Sequence, residues 1–93
     1  MSFNRPDPLR ANGWLTAPSV PASTVAQANT FNFTVEVYIL TAGTGTAITI
    51  VDQYGTSKTF TVTVAVGQRF RLDPGCTIAI TYTGAPTWAW YGL

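Results

Sequence analysis

The feature that most constrains this chain is a two-residue alternation of apolar and polar side chains, repeated in short runs between Gly- and Pro-marked turns. In Thr59-Phe60-Thr61-Val62-Thr63-Val64-Ala65-Val66 every even position is apolar and nearly every odd one is threonine. Successive side chains of an extended strand point to opposite faces, so such a run offers one face to a core and the other to solvent. The same pattern covers Phe31 to Ile39, with the odd positions inward and Asn32, Thr34 and Glu36 outward. It recurs from about Thr46 to Asp52, with Ile48 and Ile50 on one face, and over Arg69 to Leu72, with Phe70 and Leu72 inward and both arginines outward. Cys76, Ile78, Ile80 and Tyr82 alternate with Thr77, Ala79, Thr81 and Thr83, and a last strand, Thr87 to Tyr91, holds Trp88 and Trp90 on one face. The intervening turns are rich in glycine, which accepts positive φ, and in Asp73-Pro74-Gly75 proline presets the first central position. No stretch sustains helical spacing. The pattern predicts an all-β antiparallel domain, a small sandwich or barrel of jelly-roll-like form, over residues 30–93.

Residues 1–29 read differently. Pro6, Pro8, Pro18 and Pro21 fall here, and proline fixes φ and pushes its predecessor into extended conformations. A Pro-rich terminus reads as a linker on composition alone. Phe3, Leu9, Trp14, Leu15, Val20 and Val25 make this one too apolar for a solvated tail. The expectation is an extended N-terminal arm that docks on a neighbouring subunit or a larger partner, with Phe3, Leu9, Trp14 and Leu15 as its anchors. The first residues lack a basic stretch followed by an apolar one, so no signal peptide is expected, and synthesis in the cytosol is the default. No apolar run approaches the ~18 residues of a membrane span.

Only 10% of the 93 residues are charged, and the net charge is +1. That is too small and too scattered for the basic footprint of a nucleic-acid-binding domain. The chain has no histidine, hence no ready general base, and its single cysteine can form neither an internal disulfide nor a Cys-rich zinc site. Asp52 and Asp73 start turns, where a carboxylate caps backbone amides, and Glu36 stands on an outward strand position. Cys76 shares a face with Ile78 and Ile80, as a small core residue does. Neither an enzyme nor a cofactor is expected. Arg69 and Arg71 point the same way from one strand, and serve either as a clamp for an acidic partner or as edge residues that block sheet-to-sheet aggregation. Trp88, Trp90 and Tyr91 offer flat aromatic faces to a sugar, or close the core, in which case Tyr91 on the opposite face is the interface residue.

Several elements recur in a fixed order: Val20-Pro21-Ala22-Ser23, then Asn32-Phe33 before Val35-Glu36-Val37-Tyr38-Ile39, then Leu72-Asp73-Pro74-Gly75 with an Ile-x-Ile-x-Tyr strand. The chain ends on Ala85-Pro86-Thr87-Trp88-Ala89-Trp90-Tyr91-Gly92. In this order they resemble small head-decoration (capsid cement) proteins of tailed bacteriophages, and related β-modules of phage tail and fibre proteins. The resemblance implies a non-catalytic virion protein on the capsid surface that binds the major capsid protein and itself, commonly as a homotrimer. The low charge and the short apolar runs leave no nucleic-acid or membrane partner expected. The other reading is a receptor- or glycan-binding module of a tail fibre or baseplate, with Trp88, Trp90, Tyr91, Tyr38 or Tyr54 stacking on sugars.

Overall fold

The computed structural model describes residues 12–93; in it the six alternating runs each supply a strand, and two short strands from residues 12–29, where none was expected, bring the number among the described residues to eight. They are β1 Gly13–Trp14, β2 Gln27–Ala28, β3 Val35–Thr41, β4 Gly45–Val51, β5 Ser57–Phe60, β6 Arg69–Leu72, β7 Thr77–Tyr82 and β8 Thr87–Gly92. All pair antiparallel, in a sheet A ordered β1-β8-β3-β6 and a sheet B ordered β2-β7-β4-β5. The order has a simple origin. If the chain is folded in half at the β4–β5 turn, β4 meets β5, β3 meets β6, β2 meets β7 and β1 meets β8. Rolling that ribbon adds the β3–β8 and β4–β7 ladders and sets the two sheets face to face. This is the jelly-roll arrangement.

The core is the inward half of each alternation: Val35, Val37 and Ile39 of β3, Ile48 of β4, Leu72 of β6, Ile78 and Ile80 of β7, Trp88 and Trp90 of β8. Each such side chain contributes about 1.5–3 kcal/mol by leaving water. Cys76 and Val64 complete the set.

Two expected strands end elsewhere. The run beginning at Phe31 enters the ladder only at Val35. The reason is Asn29, a polar side chain only 2% exposed. Its Oδ1 accepts the Phe31 N–H at 3.0 Å, and its Nδ2 donates to Phe33 O at 3.0 Å and to Leu72 O at 2.8 Å. These bonds take the backbone groups that a strand partner would need, and hold residues 29–33 in a local turn. Phe31 and Phe33 stack on each other there, centroids 5.2 Å apart, with Phe31 leaning on Trp90.

The run from Thr59 to Val66 keeps its alternation but loses its ladder after Phe60. To reach β6 the chain must cross from sheet B to sheet A, so Val62 and Val66 stay exposed, at 38% and 68%, and Val64 alone turns inward, at 2%. Gly45 makes room for it: a Cβ at that position would lie 2.7 Å from Val64 Cβ. Gln68 ties the crossing down, its Oε1 accepting the Ala65 N–H and its Nε2 donating to Thr63 O.

Residues 12–29, the described part of the expected arm, run along the opposite side of the sandwich with a turn at Ala22–Val25, and give an edge strand to each sheet. Leu15, Ala17 and Val20 pack against the core. Proline carbonyls fasten this strap where proline nitrogens cannot: Pro18 O accepts the Trp88 indole N–H at 2.7 Å, and Pro21 O accepts the Tyr82 hydroxyl at 2.6 Å. The Leu15 N–H donates to Trp90 O and the Thr24 N–H to Ile80 O.

Candidate interaction face

Strand order in sheet A brings together residues from both ends of the chain. The registers Trp14↔Tyr91, Tyr91↔Glu36 and Glu36↔Arg71 make one row across all four strands, and Ala89, Tyr38 and Arg69 make the next. These are the outward partners of Val35, Val37, Trp88, Trp90, Phe70 and Leu72, so all of them stand on the outer face.

Trp14, on the edge strand β1, is the most exposed ring of this face. Its ring meets Tyr91 edge-on at a centroid distance of 4.8 Å and Tyr38 at 5.4 Å, yet it remains 64% exposed. The Tyr38 hydroxyl donates to Glu36 Oε1 at 2.8 Å. That bond favours the protonated phenol and raises the Tyr38 pKa above its ordinary 10.0, and partial desolvation adds to the effect; Arg69, facing Tyr38 across the ladder, opposes it. Arg71 Nε lies 3.5 Å from Asp73 Oδ1, with both side chains open to water, where such a pair contributes little stability. The face is therefore a rigid aromatic centre with a carboxylate and two guanidinium groups along one side.

Of the residues expected to contact a partner, Trp14, Arg69, Arg71 and Tyr91 share this face. Leu15, the strand neighbour of Trp14, points the other way, into the core. Phe3 and Leu9 lie outside the described residues. Trp88 and Trp90 are core residues, 7% and 1% exposed, and offer no platform to a sugar. Tyr54 stands alone at the β4–β5 turn. Asp52 accepts the Tyr54 and Thr56 N–H groups, as a turn carboxylate does. The Asp73 carboxylate instead takes the Thr34 hydroxyl and faces Arg71, while its backbone carbonyl accepts the Cys76 N–H. Cys76 is a buried free thiol.

An open groove of about 400 Å³ runs between the strap and the 85–88 corner, with Pro18, Val20, Pro86 and Trp88 among its walls. No ionisable group lines it. Among the described residues no cluster of His, Cys, Asp and Glu side chains has the makings of a metal site, and no helix is long and apolar enough to cross a membrane. Comparison with known protein families, curated proteins and solved structures finds no match to this chain.

Proposed function

We propose that this protein is a structural component of a tailed-phage virion that binds the outer surface of the capsid as an oligomer and reinforces the head. The observation that carries the reading is the outer face of sheet A. Trp, Tyr and Arg are the residue types that dominate binding energy at protein interfaces, and here they stand together, held by a ladder and uncovered in the single chain. The rings are packed edge to face, so little side-chain freedom is lost on docking. The order of motifs that resembles head-decoration proteins supports the same reading. So does a surface of low charge, which suits a protein whose faces are covered by neighbours. The described structure begins at Asn12, on the β1 edge of this face.

Co-sedimentation with capsids of the parent virion tests the reading. Trp14→Ala should weaken binding by about 30-fold, the effect of losing an aromatic anchor. Removal of residues 1–11, which leaves every described residue in place, should weaken it further. Binding unchanged in both variants would sink the proposal. Copy number per virion is an independent check: hundreds of copies fit a head-decoration role, and a dozen or fewer fit a tail component.

A further inference from the structure

We infer that two copies of this chain pair edge to edge through Thr59–Thr63, on a two-fold axis passing beside Thr61, to join their B sheets. β5 is an outer strand of sheet B, and beyond Phe60 the chain stays extended and exposed with no ladder partner among the described residues. Unpaired strand edges recruit other strands unless something blocks them.

The backbone presents the right groups. The bond from the Asp52 N–H to Thr56 O, with the register Val51↔Ser57 through Ile48↔Phe60, directs the amides of residues 58 and 60 toward β4. Those of Ser57 and Thr59 then point away from it. The Val64 N–H donates to Gly45 O, so the even positions still face β4 and the odd ones, Thr61 and Thr63, face outward. Gln68 closes this edge beyond Thr63: its Oε1 takes the Ala65 N–H and its Nε2 one lone pair of Thr63 O, which leaves the other lone pair of Thr63 O for the copy's Thr59 N–H and ends the pairing there.

The side chains are self-complementary. Thr-Phe-Thr-Val-Thr reads as the same polar–apolar pattern from either end. An antiparallel pairing centred on Thr61 sets Thr61 against its own copy, Thr59 against Thr63, and Phe60 against Val62 of the other chain. The two apolar residues, 47% and 38% exposed, would then cover each other. No charged residue occurs from Thr59 to Gln68, so this register opposes no like charges. A register slipped to centre on Lys58 would set two ammonium groups face to face, and that cost selects against it. The contact is isologous, as two-fold interfaces are, and is a β-augmentation whose affinity rests on main-chain bonds. Its short length puts it among the smallest specific interfaces, so association should depend on concentration.

Sedimentation equilibrium of the full chain, up to about 1 mM, should show a monomer–dimer equilibrium, in the range of weak interfaces. Val62→Lys places charges across the axis and should raise the dissociation constant at least about tenfold, which is ~1.4 kcal/mol. Its thermal midpoint at low concentration should be close to the parent's, because Val62 lies outside the core. A short thiol cross-linker should capture dimers of Thr61→Cys, whose paired Cα atoms would lie about 5.5 Å apart. It should fail with Thr63→Cys, whose copies would lie about 14 Å apart along the strands; the parent, with only buried Cys76, is the control. A monomer throughout, a trimer, unchanged association of Val62→Lys, or equal cross-linking at both positions would overturn the inference. None of these measurements involves a capsid.

Discussion

Replacement of Asn29 by alanine should destabilise this domain more than any other exchange of a polar side chain among the described residues. Asn29 is the only polar or charged residue buried among the described residues, and its amide makes three hydrogen bonds of 2.8–3.0 Å to main-chain groups. Alanine would orphan the Phe31 N–H, Phe33 O and Leu72 O together. A buried polar group left without a partner costs about 1–3 kcal/mol. Phe31 and Phe33 are half-buried and can recover water, while Leu72 is fully buried, so a total of about 3–4 kcal/mol is expected. For a domain of this size that lowers the melting midpoint by roughly 15–25 °C. It also removes about half of a total stability on the order of 5–10 kcal/mol. Urea and thermal unfolding followed by circular dichroism measure it, with Asn32→Ala, an exposed asparagine in the same turn, expected to stay within about 0.5 kcal/mol of the parent. Asn29→Asp should be at least as damaging as alanine, because it turns a carboxylate oxygen toward two carbonyls. A loss at Asn29→Ala no larger than at Asn32→Ala would refute the assignment of the 29–33 turn to this side chain.

Val64→Ala should cost about 1–3 kcal/mol by unfolding and Val62→Ala no more than about 0.5, although the two stand in equivalent places in the sequence pattern. Gly45→Ala should destabilise strongly because its methyl group meets Val64, and the Gly45→Ala/Val64→Ala double variant should lose less than the sum of the single losses. In a near-ultraviolet absorbance titration one tyrosine should ionise above the ordinary 10.0, and Glu36→Gln should lower its midpoint. Since folding favours the protonated Tyr38, this small contribution to stability is intact below the ordinary tyrosine pKa and fades as pH rises through the folded value.

How much of this was legible in the sequence differs by element. Arg69 to Leu72 was read residue for residue, because two charges on one face of a four-residue run leave no doubt about which side is solvent. Thr59 to Val66 was not, for a physical reason. Alternation reports an extended backbone with two unlike faces, and says nothing about whether a strand lies alongside to accept its hydrogen bonds. The crossing to β6 keeps the conformation and drops the partner. Leu15 and Val20 showed the converse. Pro18 and Pro21 erased the strand signal, and the segment still folds onto its own core because their carbonyls accept bonds from Trp88 and Tyr82. Asn29 gave no signal, since a lone asparagine near phenylalanines resembles any loop.

The site followed the same division. Residue type alone points to Arg69, Arg71, Tyr91 and Trp14, but their meeting depends on β1 lying beside β8 and β8 beside β3. That arrangement is a property of the rolled ribbon and not of any local run. Trp88 and Trp90 point inward because they share the parity of the core face that the ladder to β3 imposes.

The central claim is that the outer face of sheet A is the capsid-binding surface, and hydroxyl-radical footprinting of free and capsid-bound protein tests it most directly. Trp14, Tyr38 and Tyr91 should be oxidised in the free protein and protected when bound, while Tyr54, 84% exposed at the far turn, should react equally in both. Protection of Tyr54 with Trp14 and Tyr91 still reactive would contradict the account.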